Sequence, residues 1–470
     1  VIEQGPLILR AGHLLTMSTL GDVVNGAVAF DQGSGLILDV GPFPRVQERF
    51  PEAEVVGDAH DVVTPGFVNG HDHLSEALIS GIGETMSLYE WQERLIRPVG
   101  PQLTREMAYV GTLLKGIEML QSGITCVNDM FVHANPGSSA SLGVIDGLDE
   151  LGMRGVVCFG AHDMPDPLPL DGLMEEHEAL AARADESPLV DFAMGIATIH
   201  GQSDELFAAS VDRARERGWM IHTHLAEVLD ELTESRLRFG VNTIGHADAT
   251  GMLDLDVVFA HCIWVTEPDI SLLTHAGSSV VHNPMSNMIL GSGLCPVPRL
   301  RAAGIPVGLG TDGSASNDSH DMLQVIKSAA LLQKMHHLDP SAMTARQGLE
   351  MATIEGARAL HLEQRVGSIE PGKEADLVRF GGDSTRLAYV HEPYQQVAYC
   401  ASTEDIRDVW IHGQAVMLDR VPQRVVTAKV VQRARELAAA LFEAADLGVL
   451  VTDGLSATPD DIALSHSAIN

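Results

Sequence analysis

Apolar residues in this chain gather into short runs, and eight of those runs finish in histidine, aspartate or asparagine. The first reads Val62-Val63-Thr64-Pro65-Gly66-Phe67-Val68-Asn69-Gly70-His71-Asp72-His73, and the others end at Asn128/Asp129, His162, His200, His224, His261, His282 and Asp312. Strand-like runs at 155–161, 191–199, 219–223, 256–260, 278–281 and 305–310 alternate with amphipathic helical stretches. The helical stretches fall at 104–122, 142–152, 172–185, 203–217, 319–335 and 345–362. This alternation predicts a parallel sheet with crossover helices. Eight such units over roughly 300 residues predict an α/β fold, a (β/α)8 TIM-like barrel. Its expected span is 63–365, and a closed barrel explains why so many buried strands finish in polar residues: their ends meet at one mouth.

The flanks read differently. Pro6–Arg10, Gly26–Phe30 and Gly35–Gly41 look like short strands with turn punctuation, and a matching pattern returns at 367–380 and 406–413. The segments 1–62 and 366–425 are therefore expected to pair as one small β-sandwich domain. Residues 426–470 form the last unit: an Ala-rich amphipathic helix from 427 to 447, then a tail whose last twenty residues are expected to be weakly ordered.

Composition narrows the function. Hydrophobic residues make up 45% and charged residues 20% of the 470, which excludes overall disorder. Acidic residues number 64 against 30 basic ones, a formal charge of −34. That excess speaks against nucleic acid or anionic membrane as a partner, since phosphate contacts need clustered Lys and Arg. No apolar run reaches the roughly 18 residues of a membrane helix. The first residues carry neither the basic block nor the apolar block of a signal peptide, so a cytoplasmic location is expected. Five scattered cysteines without a C-x-x-C pair argue against a disulfide frame or a thiolate zinc site.

The chemistry lies at the strand ends. In an extended strand, side chains two apart share a face, so His71 and His73 can reach one metal while Asp72 points away. Ile221-His222-Thr223-His224-Leu225-Ala226-Glu227 offers another ligand and a carboxylate three residues on. His222 and His224 share parity, and nearness to Glu227 favours His224. A carboxylate held beside a metal site and away from bulk water is a natural proton shuttle. His261 ends another run and Asp312 ends the last; an aspartate there can bind metal and take a proton, and a histidine opposite can stabilise developing charge. Three histidines and an aspartate around an open position suit a catalytic divalent ion, Zn²⁺ or Fe²⁺.

With His71-x-His73, His224, His261 and Asp312 in hand, the chain resembles the amidohydrolase superfamily. The segments 65–73, 222–227, His282-Asn283-Pro284-Met285-Ser286-Asn287 and 310–318 are similar to its deaminase and s-triazine hydrolase branch, which includes S-adenosylhomocysteine, guanine and pterin deaminases. The likeness runs from about residue 6 to about 420 and is specific for the branch rather than the substrate. It implies a mononuclear site with His71, His73, His224 and Asp312 as ligands, and Asp312 and His261 activating water. Glu227 would protonate a ring nitrogen and relay a proton to the leaving group. Binuclear relatives use a carboxylated lysine on a middle strand, and none of the five lysines here ends an expected barrel strand.

The resemblance implies a hydrolytic deaminase of an aminated nitrogen heterocycle of purine, adenosine-derivative, pterin or triazine type. Water attacks the amino-bearing carbon and ammonia leaves. An s-triazine hydrolase removing chloride, alkylamine or thioether by the same route is the alternative, and a catalytically silent binding relative is a distant one. Candidate substrate contacts are Glu84, Trp91, His200, Asn128, His162 and His282. Glu84 stands where the resemblance implies an acid gripping a ribose, Trp91 can stack on a flat ring, and His200 matches a strand-four histidine of the adenosine-type enzymes. Two arginines the resemblance implies in the third-strand region are replaced by Phe159 and Leu173. His133, His177, His275, His320, His336 and His337 are expected to be ordinary surface residues. A homodimer or higher homo-oligomer is expected.

Overall fold

The computed structural model describes residues 5–132, 137–165 and 167–451. Eight parallel strands form the barrel: β1 (Phe67–Asp72), β2 (Ile124–Val132), β3 (Arg154–Gly160), β4 (Met194–Thr198), β5 (Ile221–Leu225), β6 (Val257–His261), β7 (Ser279–His282) and β8 (Val307–Leu309). A ninth strand, Val190–Phe192, lies on β3 as an accessory. The ring closes on one side where Leu309 pairs with Asn69, and on the other where Ala161 bridges Ile196. The (β/α)8 architecture expected from the alternation is present.

Helices start and stop where the chemistry of their ends requires. Thr104 caps the helix Arg105–Gln121 by accepting from Met107 N, and Ser203 caps Asp204–Arg217 by accepting from Leu206 N. Asp204–Arg217 ends on Gly218 at φ 68°, a left-handed turn that costs glycine nothing. The stretch expected as one helix over 345–362 is two, Ala345–Met351 and Ile354–Ala359. Thr353 breaks it, with φ −130° and ψ −98°.

The flanks pair as expected. Val62–Pro65 runs antiparallel to Leu377–Phe380, with Leu377 opposite Pro65 and Phe380 opposite Val62. Around this pair the second sheet runs from 421–422 through 414–418 and 406–411 to the central strands, then through Pro6–Leu14 and Val23–Asp31 to Ile37–Pro42. The chain crosses between sheets at Gly66, so Val63, Thr64 and Pro65, read from sequence as barrel, pair in the small sheet instead. A Cβ at Gly66 would lie 2.1 Å from Thr125 Oγ1, so only glycine allows the crossing this close to β2. Arg154, wholly buried at the start of β3, ties the two units together through Asp376 (Nε–Oδ2 2.9 Å) and Glu374 (Nη2–Oε2 2.6 Å).

The C-terminal helix spans Thr427–Ala444 and packs on Arg105–Gln121 through Val430, Ala434, Leu437 and Leu441. The expectation for the last residues of the tail concerns 452–470, outside the described residues. No helix among the described residues is long and apolar enough to cross a membrane.

Candidate metal centre and active site

Three imidazoles and one carboxylate meet at the C-terminal mouth of the barrel, and their hydrogen bonds determine which nitrogens are free. His73 Nδ1 lies 2.7 Å from Met130 O and His224 Nδ1 lies 2.6 Å from Ala197 O. A carbonyl only accepts, so both Nδ1 atoms carry the proton and both Nε2 atoms keep a lone pair. The same logic runs one residue deeper. His222 Nδ1 donates to Val258 O (3.1 Å), so its Nε2 accepts from His71 Nδ1 (2.8 Å) and His71 Nε2 is left bare. That His71 Nε2 is wholly buried without a partner.

The freed lone pairs point at one another. His73 Nε2 and His224 Nε2 are 3.0 Å apart with no proton between them, and Asp312 Oδ1 lies 3.6 Å from both His71 Nε2 and His73 Nε2. Lone pairs facing each other in a buried space are repulsive unless a cation sits among them. Ligands of a tetrahedral ion with bonds of about 2.1 Å stand about 3.4 Å apart, close to the spacing seen. The donor set fits a divalent metal, and each histidine has the backbone or imidazole partner that orients metal-binding rings. Burial, then the neighbouring imidazoles, hold His71 and His224 well below the usual histidine range, so both are neutral, the form that could hold a metal.

Two further groups face the centre. His261 Nε2 is 3.7 Å from both Glu227 Oε2 and Asp312 Oδ2, while its Nδ1 donates to Asn287 Oδ1 at 2.9 Å. Burial opposes the imidazolium, but Glu227 and Asp312 outweigh it and move His261 upward. Burial pushes Glu227 up to about 7 against the pull of His261. Ser292 Oγ donates to Glu227 Oε1 at 3.3 Å, and Glu231 accepts from the backbone N–H groups of Ala226 and Glu227 at 2.8 and 2.9 Å. Asp312 Oδ2 accepts from Ser286 Oγ at 2.6 Å.

The backbone at this mouth is strained. Ala226, His261, Cys262 and Asp312 take φ of 50°, 72°, 48° and 65°. An L-residue in the left-handed region costs about 1 kcal/mol or more, so the hydrogen bonds at Glu231, Asn287 and Ser286 hold the ends of three strands against local preference.

A cavity of about 630 Å³ opens over the centre. Its wall includes His73, His224, Glu227, His261 and Asp312 at the floor, with Trp91, His162 and His200 further out. Trp91 is held by Nε1 donating to Ala315 O at 3.0 Å. Three other sequence candidates are not on this wall. Glu84 is exposed on a loop between Gly83 and Thr85, turned to solvent. Asn128 lies mid-strand in β2, and its Nδ2 ties Gly70 O at 2.8 Å; the strand continues to Val132, which lines the cavity in its place. His282 ends β7 but is wholly buried, with both ring nitrogens unpartnered and its pKa lowered to about 3 by burial.

Other expectations change as well. His320 is buried and lies 2.9 Å from Asp72 Oδ2, where Asn69 and Thr311 also meet. His177 is buried beside Phe159, its pKa lowered to about 3 by burial. Neither is a surface residue; both sit on helix or loop faces that tertiary packing covers. His275, His336 and His337 are not buried, and His133 lies outside the described residues. Phe159 and Leu173 are both buried, so they give the cavity no cation, but Arg97 lines it from another element beside Glu93 at 2.9 Å. The sequence reading missed Glu76, Glu234 and Ser292, and placed Tyr89 in a loop that could cap the mouth. Tyr89 and Glu234 meet at 3.0 Å on the wall near His200, whose Nε2 is 3.9 Å from Glu234 Oε2. The one available signal was Glu76, three residues after His73.

A barrel whose strand ends converge three imidazoles, a carboxylate and a proton-holding pair defines a metal-dependent hydrolase of the amidohydrolase type. The amidohydrolase family model matches residues 62–416, and the chain belongs to that family. It is 34% identical over 93% of its length, and 98% of the relative's, to a 5-methylthioadenosine/S-adenosylhomocysteine deaminase of Syntrophobacter fumaroxidans. An adenosine deaminase from Xanthomonas campestris with bound zinc superposes with a TM-score of 0.87 at 30% identity, covering 93% of this chain and 98% of that one. An atrazine chlorohydrolase from Arthrobacter aurescens complexed with zinc superposes at 0.85 with 22% identity, covering 92% and 100%, a likeness of fold.

Proposed function

We propose that the chain is a metal-dependent hydrolytic deaminase of an aminated purine nucleoside or its 5′-modified derivative. The observation that carries the reading is the set of bare, converging Nε2 lone pairs of His71, His73 and His224 beside Asp312, with Glu227 and His261 across the same floor. Zn²⁺ suits three neutral nitrogens and one carboxylate, with Fe²⁺ as the alternative. A divalent ion held there supplies Lewis acidity and a nucleophile at neutral pH.

The side chains supply the proton traffic. Asp312 and His261 accept the proton released as water attacks the amino-bearing carbon, and His261 is steered by Asn287 so that its Nε2 faces the reacting atoms. Glu227, protonated up to about pH 7, donates to the ring nitrogen next to that carbon; its carboxylate then takes up the proton that came from the water and passes it to the amine as the C–N bond breaks and ammonia leaves. Ser292 and Glu231 keep Glu227 in place. Farther out, Trp91 walls the ring, while Tyr89, Glu234 and His200 offer hydroxyl and carboxylate partners to a hydroxylated substituent. His162 and Arg97 line the outer cavity and meet the far end of that substituent. The relatives named as adenosine-derivative deaminases support this choice of substrate.

Ammonia and chloride release from the zinc-loaded protein, measured over purines, adenosine derivatives, pterins, pyrimidines and s-triazines, tests the reading. Adenosine-type substrates are expected to be fastest. Absence of ammonia with all of them overturns it, and chloride or alkylamine release from triazines alone favours the hydrolase alternative.

We take 1–62 with 366–425 as one domain, which Val63–Pro65 join by their pairing, 66–365 as the barrel and 426–470 as helix and tail. A cytoplasmic location fits the five unpaired cysteines, four of them buried. A homo-oligomer fits the exposed Leu331 and Met335 on one helix face with Leu338 just past the helix end, and light scattering tests it.

A further inference from the structure

Glu76 is a carboxyl that the proton traffic above does not use. It sits in the turn Leu74–Glu76 after β1, is 2% exposed and lines the cavity. Its Oε2 accepts from Ala315 N at 3.1 Å, while its Oε1 is buried with no partner at all. A buried polar atom without a partner costs free energy, and such atoms in native folds call for an explanation.

The surrounding sequence makes room for this carboxyl. A Cβ on Gly313 would lie 2.0 Å from Glu76 Oε2 and 2.5 Å from its Cδ, so glycine after Asp312 is what lets the side chain lie against the β8 loop. Among the described residues nothing pairs it with a cation: burial, then Asp312, Asp72 and Asp129, all disfavour its charge and only Ala315 N–H favours it. A structural carboxyl in this position would be expected to carry an ion-pair partner, as Asp376 does with Arg154. Glu76 instead faces a cavity with one oxygen unsatisfied. Glu227 approaches the same cavity from the loop after β5, so the two carboxyls come from different parts of the barrel rim.

Resting on the deaminase reading, we propose that Glu76 hydrogen-bonds the polar edge of the aminated heterocycle and determines which ring the site accepts. The partner is a ring nitrogen, exocyclic amine or ring oxygen on the β1–β8 side of the cavity, separate from the nitrogen that Glu227 serves. Binding satisfies Oε1, so a ring lacking a polar group there leaves the atom unpaired and is disfavoured. Because Glu76 holds the ring without joining the proton transfers, it acts on binding rather than on the chemical step.

The test uses the zinc-loaded full chain and three variants, Glu76→Gln, Glu76→Leu and Glu76→Met. Measured quantities are metal stoichiometry, KM, kcat and the Kd of the deaminated product by calorimetry. Glu76→Leu and Glu76→Met are expected to raise KM and product Kd at least tenfold, with kcat within about threefold and one metal retained. Glu76→Gln, which keeps hydrogen-bonding atoms at the same reach, is expected to bring both back to within about threefold of the parent. Unchanged KM and Kd in the apolar variants overturn the inference, as does a loss confined to metal content, folding or kcat, which marks a support for the Asp312 loop. If the parent protein deaminates nothing, the deaminase reading falls and this inference falls with it; an active parent with indifferent variants sinks the inference alone.

Discussion

Replacing Glu227 by glutamine should make the metal-free protein more stable and the loaded enzyme nearly inactive. The Glu227 carboxyl has an ordinary value of 4.5 and is pushed by burial up to about 7. An acid raised in the folded state favours folding while protonated. Its contribution is intact below 4.5 and is lost as pH rises through 7, because the folded protein then bears a buried charge that the unfolded chain solvates freely. Each pH unit between the two values is worth about 1.4 kcal/mol, so the charged form costs about 3 kcal/mol at pH 8 and about 1 kcal/mol at pH 5. Glutamine keeps the shape and never ionises. Chelator-stripped parent and Glu227→Gln proteins unfolded in urea, followed by tryptophan emission, should therefore differ by about 3 kcal/mol at pH 8, with the variant the more stable. The gap should shrink to about 1 kcal/mol at pH 5. Turnover of the zinc-loaded variant should fall by about 10²- to 10⁴-fold with metal content unchanged. Equal stability at both pH values would show that the carboxyl is not held against its charge, and undiminished turnover would remove it from the mechanism.

Other consequences can be checked more briefly. Asp312→Asn should cut bound zinc well below one per chain, since it removes the one negative charge of the proposed ligand set; full zinc content with lost turnover would restrict Asp312 to proton transfer. Arg154→Met should lower stability by about 3–5 kcal/mol, because it leaves the buried Asp376 without its cation and takes one of two arginines from Glu374. Glu374 is opposed by burial but held down to about 2 by Arg154 and Arg365. Glu374→Gln should therefore destabilise above about pH 4.5, with the penalty fading as acid approaches 2 in urea titrations. Gly66→Ala should lower stability by about 1–3 kcal/mol through its clash with Thr125, read as a lower urea midpoint, and an unchanged midpoint would mean the crossing can relax.

Side-chain parity and the place where an apolar run stops made the barrel and its mouth legible from sequence. His71 and His73 share a face of one extended strand, and His224, His261 and Asp312 end others, so their convergence follows from closing the sheet. Asn128 and His282 show the limit of that rule. Both lie near polar strand ends, but a terminal residue faces the mouth or the packing layer depending on a register that the run itself does not encode. Glu76, Ser292 and Glu234 sit in turns and helices whose partners are far away in sequence: Ala315 for Glu76, Glu227 for Ser292 and Tyr89 for Glu234. No local periodicity marks such residues. His320 was misjudged for the same reason, since its burial is set by Asp72 on β1, next to it in the closed ring but far away in sequence.

The antiparallel pairing of Val62–Pro65 with Leu377–Phe380 also governs the order of assembly. During synthesis the first of these strands emerges with the entire barrel still to be made, on the order of tens of seconds ahead of its partner at ordinary elongation rates. Until then an apolar segment next to the future metal ligands has an unpaired edge, the kind of surface that invites mispairing. Truncation anywhere before residue 380 would leave that edge open for good. Newborn chains of this protein should therefore depend on chaperone protection until their last third has been translated.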